Sequence, residues 1–345
     1  MTNDISMNHE AKDFIDQDSL ALREIKPTID SEIDLRGHNE QELLEAQRDF
    51  SDLINLVNSR YEGPASTLAN SPEQIKTFEE HNDQVLALCV KRGLEKNLSE
   101  QEIKELEVSA ILHDIAKADR SVGQKGEIPN YILAAHGELA ADQLPVIINN
   151  NPEILVKILG DNYSEDEKIK TIETIKNALR CHMGPHPGFM DFILKGVNQK
   201  LAEIGAPILE HNKPKPGDKV AEILLAADMC SLADRKGREK VLAIRAAVPN
   251  FRKQDEELCF EYKKMGINLS TAEAALLSGF DSAGQARDMI EDLDDQAWIN
   301  QTIEASKIGD YKYEGQVVNY RQAEEKRQAY LLAKIRTGIS QEKAA

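Results

Sequence analysis

The run Val108-Ser109-Ala110-Ile111-Leu112-His113-Asp114-Ile115-Ala116-Lys117 decides how this chain is read. It is apolar on most sides, so a helix formed here is expected to be buried rather than to lie half-exposed on a surface. Inside it stand an adjacent His and Asp. Burying such a pair is costly unless both groups are paired, hydrogen-bonded or bound to a cation. Lys117 follows His113 by four positions and Asp114 by three, which places it on their helix face.

Working outward, other polar residues stand on apolar stripes. His81 lies in Phe78-Glu79-Glu80-His81-Asn82-Asp83-Gln84-Val85, and Val85 and Cys89 follow it at helical spacing, on or near a core face. Asp228 lies in Ile223-Leu224-Leu225-Ala226-Ala227-Asp228-Met229-Cys230-Ser231-Leu232, with leucines three and four positions before it and four after. A carboxylate on that stripe demands a partner, and a divalent metal is one. His136 sits in Leu133-Ala134-Ala135-His136-Gly137-Glu138, and His182 closes Leu179-Arg180-Cys181-His182. His186, between Pro185 and Pro187, competes with His182 for one role; His182, nearer a helix end, fits better, and His186 is expected at a pocket mouth. His9, His38 and His211 lie among polar or Pro-rich neighbours and are expected on the surface.

Helix formers dominate nearly throughout, and strict strand alternation is missing. The expected class is all-α: a helical bundle with helical N- and C-terminal extensions. The spacing predicts helices over 72–94, 99–117, 129–143, 151–159, 165–182, 188–204 and 217–235. Three regions follow: an acidic, partly mobile stretch 1–71 with one amphipathic helix between Glu40 and Val57, a catalytic domain 72–245, and a helical region 246–345. Arg120, Arg180, Arg235 and Lys236 stand in or near the helices that carry these His and Asp residues as weaker anion contacts, and Asp119 and Glu138 as supporting or general-base groups; each is more simply a surface charge.

The chain has 345 residues, 42 basic and 60 acidic, for a net charge of −18. That balance argues against a nucleic-acid binder, which needs clustered Lys and Arg. No apolar run approaches the ~18 residues of a membrane span, and the N-terminus lacks the basic-then-apolar pattern of a secretory signal. Cys89, Cys181, Cys230 and Cys259 are scattered without a CxxC pair and read as reduced thiols of a cytoplasmic protein. No GxGxxG or Walker-type run is present.

The order His81 … His113-Asp114 … Asp228 resembles the H…HD…D signature of the HD-domain superfamily of metal-dependent phosphohydrolases, and His113-Asp114-Ile115-Ala116-Lys117 resembles its HDxxK form. The resemblance covers roughly residues 72–240. It implies an all-α HD-type fold and one or two divalent ions (Mn, Fe, Ni, Co, Zn or Mg). His81, His113, Asp114 and Asp228 would surround the first ion. His136 and His182 resemble the additional histidines of two-metal members and would hold a second, with Asp114 bridging and catalytic. Lys117 would bind phosphate as a second catalytic group. The implied activity is hydrolysis of a phosphomonoester or phosphodiester bond in a small phosphorylated substrate such as a nucleotide.

Two departures narrow that. Members that cleave cyclic dinucleotides carry a GYP run after a His-His pair, which His182-Met183-Gly184-Pro185-His186-Pro187-Gly188 lacks. The Glu-Asp pair of the stringent-response hydrolases has no clear equivalent. Two other readings fit the same residues. Some proteins of the superfamily hold two irons in a similar six-ligand set and activate oxygen, and a non-catalytic module would use the pocket to sense a nucleotide.

Overall fold

A computed structural model describes residues 40–62, 72–118, 130–184, 189–247 and 249–342, together with 125 and 128. The predicted mobile stretch before Glu40, and His9 and His38 within it, lie outside the described residues. So do Asp119, Arg120 and His186. The fold is all-α: fourteen α-helices and one short hairpin among the described residues. Two compact units divide these residues. One runs from 40 to 231 and takes in 288–296; the other holds 232–287 and 297–342.

In the first unit the helices are α1 (Glu40–Asp49), α2 (Ser51–Glu62), α3 (Pro72–Glu95), α4 (Glu100–Leu112), α5 (Tyr131–Asn150), α6 (Glu153–Leu159), α7 (Glu165–Cys181), α8 (Phe189–Glu203) and most of α9 (Lys219–Ala233). The expected helix between 40 and 57 is two helices broken at Phe50. Helix α4 is the axis of the unit. Every residue from Glu105 to Leu112 is buried, as expected of a helix without a polar face. It packs against α2, α3, α6 and α7, while α5 packs against α7 and α8. Ser99 and Ser164 start α4 and α7 with capping boxes closed by Glu102 and Glu167, which satisfy amide groups a helix start would otherwise leave unpaired.

Two boundaries differ from the sequence expectation. The helix predicted over 99–117 ends at Leu112; His113 and Asp114 form a turn, and Ile115–Ala118 is a 3₁₀ segment. The ladder tightens there, with the Lys117 amide bonding to the Asp114 carbonyl at 2.9 Å. Helix α5 runs past 143 to Asn150 in spite of Pro145, because Leu144, Ile147 and Ile148 are all buried on its core face. Lost backbone bonding at one proline is outweighed by that burial.

The second unit holds α10 (Arg235–Ala247), α11 (Pro249–Lys264), α12 (Thr271–Arg287), the larger part of α13 (Leu293–Ser306), strands β1 (Asp310–Tyr313) and β2 (Gln316–Asn319), and α14 (Tyr320–Glu342). The strands pair antiparallel, with Tyr313 opposite Gln316. Their two-residue turn, Glu314-Gly315, has φ of 47° and 80°, the left-handed pair that hairpin turns of this length require. Among the described residues, no helix is long and apolar enough to cross a membrane.

Candidate metal centre

Five elements of the first unit deliver side chains to one point. His81 comes from the middle of α3, and His113 and Asp114 from the turn that ends α4. His136 comes from the second turn of α5, His182 from the C-cap of α7, and Asp228 from α9. His113, Asp114, His136 and His182 are almost completely buried, and Asp228 is 9% exposed. Two of the ligand-type histidines therefore cap helix C-termini, where the backbone carries partial negative charge that favours a cation.

Asp114 stands at the centre. One carboxylate oxygen, Oδ2, lies 3.5 Å from His81 Nε2 and 3.5 Å from His113 Nε2. The other, Oδ1, lies 3.3 Å from His136 Nε2 and 3.9 Å from His182 Nε2. Two three-residue groups result, His81–His113–Asp114 and Asp114–His136–His182, each with its ligand atoms within 4.8 Å of one another. Asp228 Oδ1 is 3.4 Å from His81 Nε2 and flanks the first group. Lys117 Nζ lies 2.7 Å from Asp114 Oδ2.

The outer nitrogens of the imidazoles settle which way the lone pairs face. Nδ1 of His113, His136 and His182 donates to the carbonyl three residues back, Ala110, Leu133 and Leu179, at 2.7, 2.8 and 2.6 Å. A carbonyl only accepts, so each Nδ1 carries the proton. Nδ1 of His81 lies 3.3 Å from Ser231 Oγ, whose own hydrogen goes to the Asp228 carbonyl at 2.7 Å. All four rings therefore carry a proton on Nδ1 and turn Nε2 inward, the nitrogen left to bind metal when the ring is neutral.

This arrangement is electrostatically incomplete without a cation. His81 Nε2 and His113 Nε2 face each other at 3.3 Å, two acceptors in contact when both rings are neutral. Asp114 Oδ1 and His182 Nε2 are buried and have no hydrogen-bond partner. Orphaned buried polar atoms are rare and costly. Imidazole nitrogens and carboxylate oxygens suit a divalent transition metal, so the residues fit one ion in each group.

The titration shifts agree. Burial pushes His81 below the ordinary histidine value, against the pull of Asp228 and Asp114. Burial and the Lys117 charge lower His136. Burial and the adjacent His136 and His113 hold His182 well below that value. Burial works to raise Asp114, but His113, Lys117 and His136 outweigh it and keep the carboxylate ionised. Asp228 is likewise lowered, its burial overcome by His81.

Three contributors were not singled out from the sequence. Ser231 orients His81, and its position three residues after Asp228 was the available signal. Tyr61 donates to the Asp114 carbonyl at 2.9 Å from a helix 53 residues away, which no local pattern announces. Gly137 lets α5 approach α7. A Cβ there would meet the Leu179 carbonyl oxygen at 2.7 Å and His182 Cε1 at 3.3 Å, so the bare backbone permits the 4.9 Å separation of the His136 and His182 rings.

The weaker candidates lie elsewhere. Arg180 pairs with Glu138 at 2.9 Å and approaches Asp142 at 3.6 Å, tying α7 to α5. Arg235 and Lys236 belong to the second unit, where Arg235 bonds the carbonyls of Ile308 and Asp310 and Lys236 is exposed. His211, expected on the surface, is half-buried and bonds the Ala134 carbonyl at 2.9 Å. The four cysteines are free thiols, three of them buried. Compared with known proteins, the chain matches no family model, no curated protein and no solved structure.

Proposed function

We propose that this chain is a cytoplasmic metal-dependent phosphohydrolase of the HD type, acting on a phosphoester bond of a nucleotide or other small phosphorylated substrate. The observation that carries the reading is the single Asp114 carboxylate shared between two histidine pairs, each offering inward-facing Nε2 atoms. His81, His113, Asp114 and Asp228 would hold one ion, and Asp114, His136 and His182 a second. Ions bound there would supply Lewis acidity toward a phosphoryl oxygen and a lowered pKa for attacking water.

The chain's own residues supply the rest. The Lys117 ammonium, held against Asp114 Oδ2, is placed to neutralise phosphate charge beside the ions. The carbonyl-anchored Nδ1 groups of His113, His136 and His182 hold those rings oriented with Nε2 inward, so ions bind without reorganisation. Asp114 and Asp228 offset the positive charge of the ions in a buried setting. The same residues also suit a pair of irons, and the second histidine pair favours that alternative over a single-ion site.

Metal analysis of protein purified without added metal, wild type beside Asp114→Ala, tests the reading. Phosphate release from a nucleotide panel is run on the same samples. One or two ions per chain, lost in the variant together with turnover, is the expected result. No metal and no turnover after adding Mn, Fe, Co or Ni would overturn it in favour of a nucleotide-binding module. Turnover that requires oxygen and iron would replace hydrolysis with oxidation.

A further inference from the structure

Tyr61 lies outside the stretch that carries the ligand-type residues, near the C-terminal end of α2. Its side chain is 1% exposed. The hydroxyl donates to the Asp114 backbone carbonyl at 2.9 Å. The ring stacks on Phe78, with centroids 5.1 Å apart and planes 5° from parallel. Phe78 precedes His81 on α3 by three residues, about one helical turn. One side chain thus touches both the turn that presents Asp114 and the helix that presents His81.

We propose that Tyr61 is a positioning residue for the metal centre, its hydroxyl fixing the peptide behind the Asp114 carboxylate and its ring setting the distance between α3 and the His113-Asp114 turn. The inference rests on the metal-centre reading. The Asp114 carbonyl lies where the α-helical ladder has just ended, and it accepts from the Lys117 amide at 2.9 Å as well as from Tyr61. Two donors on one carbonyl restrict rotation of that peptide, and with it the aim of a carboxylate that must serve both histidine pairs.

The strut is itself anchored. Phe50, Leu53 and Val57 are buried beneath α1 and α2. Arg60 bonds Gln143 of α5 at 2.5 Å, and Lys157 of α6 bonds the Asp49 carbonyl. The helix pair that carries Tyr61 is therefore a working part of the site-bearing unit, although nothing in its own sequence is ligand-like.

The test uses the full chain loaded with Co²⁺. Tyr61→Phe keeps the ring stack and removes only the hydroxyl. It is expected to weaken Co²⁺ binding about tenfold or more, the scale seen when a group supporting a metal ligand is removed. The visible Co²⁺ absorption bands should shift while the melting temperature moves by only a few degrees. Phe78→Leu loosens the stack and should shift the bands less. Leu277→Ala, buried in α12 of the second unit, should lower the melting temperature and leave affinity and bands unchanged. A Tyr61→Phe protein with wild-type affinity and bands would overturn the inference and leave the metal centre standing, as would Leu277→Ala altering the bands equally. A wild type that takes up no Co²⁺ would remove the metal-centre reading and this inference with it.

Discussion

Both units bury charge, and they do so in opposite ways. In the C-terminal unit Asp255 is fully buried, and its carboxylate takes two bonds from the Arg245 guanidinium, at 2.6 and 3.2 Å, and one from Ser278. Arg238, also buried, is bonded to the carbonyls of Leu232 and Gly279. These side chains have partners, and their geometry closes on itself. In the N-terminal unit Asp114, His136 and His182 are just as buried, yet their inner atoms point at one another, and two of them have no hydrogen-bond partner. A closed network of buried charge holds a fold together; an open, convergent one is built around something that is not protein.

The largest effect should come from opening that comparison at its centre. Asp114→Asn removes the carboxylate common to both groups, so metal content should fall to nearly zero and turnover with it, while far-UV circular dichroism stays helical. His182→Ala should cost only the second ion, halving the metal count instead of abolishing it. Equal loss in both variants would show that the two groups are one site. Gly137→Ala asks the same question through the backbone. The added methyl has nowhere to go against the Leu179 carbonyl, so α5 and α7 must part. The second ion should be weakened by about one to two orders of magnitude and the first much less, as read by metal titration.

The C-terminal network predicts the converse. Asp255→Ala strands the Arg245 guanidinium in a buried position, at a cost of about 3–5 kcal/mol. Urea unfolding should show that loss, and metal analysis of the folded fraction should show a full complement. A variant that lost metal without losing stability would break the distinction between closed and open networks.

Most of the centre was legible from the sequence because its residues offend their surroundings. His113 and Asp114 interrupt an otherwise apolar run, and Asp228 sits among leucines. A polar group on an apolar stripe calls for a partner wherever the chain goes on to fold. What was not legible came from contacts that leave no periodic trace. Ile115 and Ala116 continue the apolar pattern of α4, so nothing local showed that the helix ends at Leu112. Tyr61 falls past Val57, where the expected helix stops, in the segment that breaks it. Gly137 matters only through a helix that meets it forty residues later. The hairpin did leave a signal, Tyr311 and Tyr313 buried in alternation with exposed Asp310 and Lys312 ahead of Glu314-Gly315. Four residues per strand is too short a run to stand out in a helical chain.

The smallest effect expected separates two glutamates on α4. Glu105 and Glu107 are both buried. Glu105 accepts from the Thr171 hydroxyl at 2.8 Å and the Gln101 amide at 2.9 Å. Glu107 is pushed up by burial to about 7, with Asp49 adding to the rise and Lys104 opposing it. Its ordinary value is 4.5, so between these two values the folded chain keeps a proton that the unfolded chain has released. Stability from this group is therefore whole below about pH 4.5, falls as pH rises, and is gone above about pH 7. Glu107→Gln fixes the neutral form. Urea unfolding should give wild type and variant nearly equal stability at low pH, with the variant ahead by about 1–3 kcal/mol at pH 8. Burial raises Glu105 as well, but its bonds from Gln101 and Thr171 oppose the rise, so Glu105→Gln, which exchanges one acceptor oxygen for a donor amide in that network, should gain less. If the two variants behave alike, the proton on Glu107 is not what the burial holds in place.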